Sequence, residues 1–177
     1  TIVFSRQIES MFSSIASRYD FLNRMLSIGR DRYWRKVAVD KLAPSANERI
    51  LDIATGTGDV VFSMYKKFRM NAIGIDISGK MIKLAKLKRN KKNISEDIIS
   101  FVRGDAEKLE LSDDLCDALT ISFGFRNFGD YDAALKEFYR VLKPGGKLSI
   151  LEFSKSRKKF FNTIFQIYFN KILPKLA

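Results

Sequence analysis

Arg49-Ile50-Leu51-Asp52-Ile53-Ala54-Thr55-Gly56-Thr57-Gly58 is the stretch that decides the fold. Its first six residues form a short, largely apolar run, which reads as a strand. Thr55–Gly58 closes that strand, and glycines there permit a tight turn and a close approach of backbone to a ligand. Residues 59–68 then fit a helix, with Val60, Val61, Met64 and Phe68 on a shared face. Strand, glycine turn and helix in this order open a parallel α/β sheet.

The same alternation continues outward. Ala72-Ile73-Gly74-Ile75-Asp76-Ile77 reads as a second strand. Ser78 is suited to cap the next helix, where Met81, Ile82, Leu84, Ala85 and Leu87 make the expected buried side and the lysines the wet side. Ile98–Val102 and Ala118–Ser122 read as the third and fourth strands, and Asp130 as the cap of a helix over 131–142. Pro144-Gly145-Gly146 reads as a turn before a fifth strand, Lys147–Phe153, and residues 157–172 as a last, aromatic-rich helix. Upstream, residues 8–42 read as helical, with breaks near Tyr19-Asp20 and Gly29. The strands are near-continuously apolar, the pattern of a parallel sheet covered on both faces. One domain is expected over 1–177, with a helical cap at about 1–45 and the α/β core at about 46–177. Ligands of such sheets sit beyond the carboxyl ends of the strands. The loops of interest are therefore 54–58, 76–79, 104–107 and 122–130.

Composition narrows the chemistry. Of 177 residues, 46% are hydrophobic and 29% charged, an ordinary globular balance. No run approaches the ~18–20 apolar residues of a spanning helix, and no signal-peptide pattern is visible, so a cytoplasmic protein is expected. A single cysteine, Cys116, excludes an internal disulfide and a CxxC metal cluster. It lies beside the fourth strand and reads as a small core residue. There is no histidine, which removes Ser–His and Cys–His nucleophiles, histidine bases and most zinc sites. The net charge is +12 and unevenly placed: residues 66–92 carry ten basic groups and one acid, and residues 155–177 six basic groups and none. Such segments fit a solvated face, an anionic membrane or nucleic acid.

Asp76 ends the second strand, 18 residues after Gly58, where an acid accepts hydrogen bonds from a ribose diol. The dinucleotide fingerprint asks for a third glycine where this chain has Val61. Asp52 at the first strand's end, the Gly56–Gly58 turn and Asp76 match the arrangement of S-adenosyl-L-methionine enzymes instead. Asp105, after the third strand, is placed either to meet the adenine amino group or to cap a helix.

Three segments make the reading more specific. Tyr19-Asp20-Phe21-Leu22-Asn23, continuing to Trp34, is the first. Ile121-Ser122-Phe123-Gly124-Phe125-Arg126-Asn127-Phe128 is the second, and Arg140–Ser154, with its Lys-Pro-Gly-Gly turn, the third. Together they resemble the ubiquinone/menaquinone C-methyltransferases, the UbiE-like enzymes, from about Met11 to Pro174. The resemblance implies a Rossmann-like, doubly wound, mostly parallel sheet of the class I methyltransferases. It implies S-adenosyl-L-methionine contacts from Thr57, Asp76, Asp105, Ala106 and Ser122, with S-adenosyl-L-homocysteine as product. It also implies substrate-side roles for Tyr19–Asn23 and for Arg126-Asn127. The chain departs from the pattern at Leu22, usually Met, and at Asp31, usually His. The family pattern also runs on past Pro174, into segments expected to complete the sheet.

The implied reaction moves a methyl group to a ring carbon of a demethylated prenyl quinol. Without histidine, proton handling falls to carboxylates, tyrosines or a held water. Arg126 is suited to stabilise the quinolate or, alternatively, to form a structural ion pair. Asp20 or Asp31 is suited to accept a proton, and Tyr19 to orient the ring. Trp34 is either core or a platform for the quinol. The basic, aromatic 157–172 segment either rests on an anionic membrane at its inner face or packs on the sheet. Rival readings are a nucleic-acid methyltransferase, a dinucleotide oxidoreductase and a non-catalytic binding relic. Against the first, the fourth strand ends in Ser-Phe-Gly-Phe rather than Asn/Asp-Pro-Pro-aromatic, and Cys116 lies upstream of that strand. No nucleic-acid partner and no metal are expected.

Overall fold

A computed structural model describes residues 30–152 of the chain. Helix α1 (Arg30–Leu42) leads into β1 (Arg49–Ile53), α2 (Asp59–Phe68), β2 (Asn71–Asp76) and α3 (Gly79–Lys91). Then come β3 (Ile99–Arg103), β4 (Cys116–Ser122), a short 3₁₀ turn (Phe125–Asn127), α4 (Tyr131–Val141) and β5 (Leu142–Leu151). All pairings among the five strands are parallel, in the order β3-β2-β1-β4-β5. The chain therefore winds one way from β1 through β3 and the other way through β4 and β5, which is the doubly wound α/β arrangement.

The central strand explains the two cores. Side chains alternate across a strand, so Ile50 faces the layer of Val39 and Leu42 from α1, Val60, Val61 and Met64 from α2, and Ile82 and Ala85 from α3. Leu51 and Ile53 face the opposite layer, with Leu119, Ile121, Ala134 and Phe138. Asp52 shares the parity of Ile50, which turns its carboxylate toward the α1–α2 side. Val61 is fully buried in the first core.

Local chemistry sets the element ends. Ser78 Oγ accepts from Met81 N–H at 3.4 Å and Asp130 Oδ1 from Ala133 N–H at 3.0 Å, the expected N-caps. At the end of α1, Ala43 adopts a left-handed φ of 42° and returns its N–H to Val39 O. Pro44 then forbids continuation. Gly74 has no side chain because a Cβ there would lie 2.6 Å from Phe101 Cδ1 and 2.8 Å from Thr55 Oγ1.

Four local expectations are corrected. Leu87 is exposed, because α3 turns Arg89 inward instead; its guanidinium donates to Ile99 O at 3.2 Å. Lys88 is half-buried rather than on the wet side. Cys116 is the first residue of β4, not upstream of it, and it is buried as expected of a core residue. β5 begins directly after α4, and its ladder slips: Leu142 pairs with Cys116, but Lys147 pairs with Ala118. Residues 143–146, which include the expected turn at Pro144-Gly145-Gly146, are the part that bulges between those pairs. The helices expected before residue 30 and over 157–172, and Phe153 of the expected fifth strand, lie outside the described residues.

Candidate active site

The carboxyl ends of β1, β2, β3 and β4 border one cleft with about 710 Å³ of empty space, partly open to solvent. The loops after all four strands reach it: Ala54 and Gly56, Asp76 and Ile77, Gly104–Glu107, and Ser122–Gly124 with Asn127 and Phe128. Ile53, Ile75 and Met81 form an apolar floor.

Hydrogen bonds lock these loops to one another. Asp76 Oδ2 accepts from Gly56 N–H at 2.8 Å and Oδ1 from Ser78 N–H at 2.9 Å. Burial pushes the Asp76 carboxyl above the usual range, and the two backbone donors work against that shift. Asp105 Oδ1 accepts from Glu107 N–H at 3.0 Å in a local turn, with no helix following. Glu107 reaches across the cleft wall and accepts from Gly129 N–H at 2.6 Å and Asp130 N–H at 3.1 Å. Behind it, Arg140 donates to Leu109 O and Leu111 O and pairs with Glu137 and Asp113, so α4 holds the 109–113 loop.

Just beyond β1 and β4 the backbone is strained. Ala54 and Phe123, both cleft residues, have φ of 53° and 63°, a region few non-glycine residues adopt and one that clusters at functional sites. Ser122 Oγ, on the cleft wall, is buried and has no hydrogen-bond partner among the described residues. Phe125 stacks on Tyr131 and meets Phe128 edge-on, and Phe128 meets Phe138, which anchors the 125–127 turn on α4. Arg126 lies in that turn with its guanidinium ion-paired to Glu152 and its N–H donating to the same carboxylate at 3.1 Å. Asn127 lines the cleft.

A polar extension of about 340 Å³ continues the cleft past Gly56 and Ser122. It holds Asp52, Thr57 and Asp59. Thr55 donates its hydroxyl to Asp52 Oδ2 at 2.6 Å, and Lys88 Nζ donates to Thr57 Oγ1 at 2.7 Å. The Thr57 hydroxyl is thus engaged from within the fold. Gly58 stands at the N-cap of α2 with φ 83°, behind the turn. Asp31 falls in the first turn of α1; Tyr19 and Asp20 lie outside the described residues.

The model of the ubiE/COQ5 methyltransferase family matches residues 1–177.

The chain belongs to the ubiE/COQ5 methyltransferase family.

It is 46% identical over 173 residues to the ubiquinone/menaquinone biosynthesis C-methyltransferase UbiE of Geotalea daltonii, covering 97% of this chain and 73% of that protein. It is 44% identical over 168 residues to the demethylmenaquinone methyltransferase of Thermus thermophilus, covering 94% and 75%. Among solved structures, a protein of Methanococcus maripaludis assigned to the S-adenosyl-L-methionine-dependent methyltransferases superposes with TM-score 0.72 at 21% identity. That match covers 93% of this chain and 74% of that one, and it bears on the fold.

The cleft fits the methyl donor of a ubiE/COQ5 methyltransferase by its donor set. It offers acids at the ends of β2 and β3, an apolar floor between them, and the orphaned Ser122 hydroxyl on its wall. Glu107 and Asp59 were not singled out from the sequence. Glu107 lies two residues after Asp105 in the 104–107 loop. Arg35 directly follows Trp34, the last residue of the first family segment.

Proposed function

We propose that this chain transfers the methyl group of S-adenosyl-L-methionine to a ring carbon of a demethylated prenyl quinol, in menaquinone or ubiquinone biosynthesis. The single observation that carries the reaction is membership of the ubiE/COQ5 methyltransferase family over the whole chain.

The donor supplies an electrophilic methyl group on a sulfonium. The chain's task is to hold that group, hold the acceptor ring in line with it, and manage two protons. Asp76 is suited to accept from the ribose hydroxyls while keeping its two backbone bonds, since a carboxylate accepts about four hydrogen bonds. Asp105 and Ala106 border the adenine end, and Ser122 offers the donor an unsatisfied hydroxyl. Orientation of the acceptor carbon is a leading contribution to rate.

On the acceptor side, the ring becomes nucleophilic when a phenolic proton leaves. Arg126 stabilises the resulting quinolate through charge-assisted hydrogen bonds, with Glu152 holding the guanidinium and Asn127 beside it on the cleft wall. Asp20 or Asp31 accepts the proton, directly or through water, and Tyr19 orients the ring. The quinol's oily tail and the basic, aromatic 157–172 segment, with Phe160, Phe161, Lys158 and Lys159, also support peripheral contact with an anionic membrane.

A redox comparison tests the chemistry. Given the donor, the chain should methylate a reduced demethylmenaquinol under anaerobic conditions and leave the oxidised quinone untouched, because only the quinol yields a phenolate. Equal methylation of both forms contradicts the mechanism.

A further inference from the structure

The 104–107 and 122–130 loops leave different halves of the sheet. In the order β3-β2-β1-β4-β5, β3 and β4 stand three strand spacings of ~4.8 Å apart. One side chain joins their loops. Glu107 is half-buried, and its Oε1 accepts from the Gly129 N–H at 2.6 Å and the Asp130 N–H at 3.1 Å. Hydrogen bonds to a carboxylate are charge-assisted, about twice as strong as neutral ones. The start of α4 does not require them, because Asp130 Oδ1 already caps it at Ala133 N–H.

Each end of this crosslink is fastened to one side of the cleft. On the nucleoside side, Gly104 N–H donates to Asp76 O at 3.1 Å, and Glu107 N–H to Asp105 Oδ1 at 3.0 Å. On the acceptor side, Tyr131 directly follows the two clamped amides. Its ring stacks on Phe125 with centroids 5.0 Å apart, and its hydroxyl donates to Arg126 O at 3.3 Å. A shift of Glu107 therefore acts on the turn that carries Arg126 and Asn127. Glu107, Asn127 and Phe128 all line the cleft. A parallel tie, from Leu109 N–H to Glu137 Oε2 at 2.7 Å, joins the same connection to α4 outside the cleft lining. That tie holds loop to helix without help from Glu107.

We propose that Glu107 is a positioning residue, which transmits occupation of the nucleoside site to the Arg126–Asn127 turn, so that bound donor fixes the acceptor-side groups in place. The proposal rests on the reading of the main cleft as the adenosyl site. A nucleoside seated against Asp105 and Ala106 restrains the 104–107 loop. The two Glu107 bonds carry that restraint to Gly129 and Asp130, and Tyr131 carries it on to Arg126. By linkage, an acceptor held at the turn strengthens donor binding by the same factor. Misplacing an orienting group by about 1 Å is enough to cost about 10²-fold in rate.

Amide hydrogen exchange, read residue by residue on the whole chain, separates the proposal from that reading. In the wild type, saturating S-adenosyl-L-homocysteine should slow the Gly56 amide, which borders the cleft directly. It should also slow the Gly129 and Asp130 amides by about 5-fold or more, the lower end of coupling between sites. In Glu107→Ala, saturating ligand should still slow Gly56, and the slowing at Asp130 and Gly129 should be lost. Turnover of this variant at saturating donor and quinol should fall about 10–100-fold. Glu107→Gln should lie between, because its neutral amide oxygen accepts more weakly. A glutamate with only a structural role would lower the unfolding temperature and leave the transmitted slowing and the turnover of the folded enzyme intact; that result overturns the proposal. If Glu107→Ala does not fold, Glu107→Gln decides, and slowing at Gly129 and Asp130 equal to the wild type overturns the proposal. A wild-type chain with no slowing at Gly56 overturns the reading of the main cleft, and the proposal with it. Slowing at Gly56 with none at Gly129 and Asp130 overturns the proposal alone.

Discussion

Asp76 and Gly56 are joined by one hydrogen bond, from the Gly56 N–H to Asp76 Oδ2 at 2.8 Å. It couples the end of β2 to the glycine turn after β1. With the second bond, from Ser78 N–H, one carboxylate shapes both the turn and the start of α3. Any ligand that uses Asp76 therefore meets a group already fixed in place.

Replacing Asp76 should have two separable effects. Asp76→Ala orphans two backbone donors, one of them buried, and should destabilise the chain by about 1–3 kcal/mol. It should also weaken S-adenosyl-L-homocysteine binding by about 10–100-fold. Asp76→Asn keeps one acceptor and should lie between. Thermal unfolding and calorimetry read the two effects independently. A destabilised variant with unchanged affinity would remove Asp76 from the site.

Arg126 sits between two roles, and kinetics can part them. If its guanidinium stabilises the quinolate, Arg126→Ala should lower turnover by about 10²–10³, the scale of losing one oxyanion donor. Affinity for S-adenosyl-L-homocysteine should stay nearly unchanged. Glu152→Gln keeps an acceptor for the Arg126 N–H while removing the charge that pairs with the guanidinium. It should cost turnover less than Arg126→Ala does. Normal turnover by Arg126→Ala would leave the arginine as the structural partner of Glu152 alone.

Stability should carry a pH signature from Asp52. Burial pushes its carboxyl up to about 7, while the Thr55 hydroxyl and the Arg35 cation act in the opposite direction and Asp76 adds slightly to the rise. The unfolded chain releases this proton near the ordinary aspartate value of ~3.9. The stabilisation tied to it is complete below that value and is lost as pH rises toward about 7. Asp52→Asn cannot titrate there. Denaturant unfolding from pH 4 to 8 should show the variant gaining on the wild type with rising pH, by up to about 4 kcal/mol. Parallel curves would mean the carboxyl titrates normally.

Packing around Phe101 gives a purely structural test. Its ring is fully buried and lies against Gly74 and Gly58. Gly74→Ala should destabilise the chain by about 1–3 kcal/mol through overpacking. Adding Phe101→Leu should return part of that loss, a non-additive pair in a double-mutant cycle. Simple addition of the two losses would show that the methyl group is accommodated elsewhere.

The sequence was most legible where structure is local. The bounds of α2 match the expected 59–68, and both side-chain caps, Ser78 and Asp130, act as their types predict, because period and capping depend on near neighbours. Leu87, expected on the buried side, is exposed, while Arg89 is buried, its cost lowered by the carbonyl partner Ile99 O. The four loops could be named from strand order alone, since parallel strands place their carboxyl ends together. Arg35 could not. Its surroundings come from α2, from Lys88 on α3 and from Phe123 beyond β4, and no local pattern links those positions. The left-handed Phe123 was equally invisible, because a β4 terminus read from apolar run length says nothing about a strained φ.

The central claim is methyl transfer from S-adenosyl-L-methionine to a quinol, and one incubation tests it most directly. The whole chain is mixed with methyl-labelled donor, reduced demethylmenaquinol and RNA together, and the label is located by mass analysis. Label is expected on the quinone ring, one methyl per product, and none on RNA. Label on RNA, or donor bound without any turnover, would contradict it.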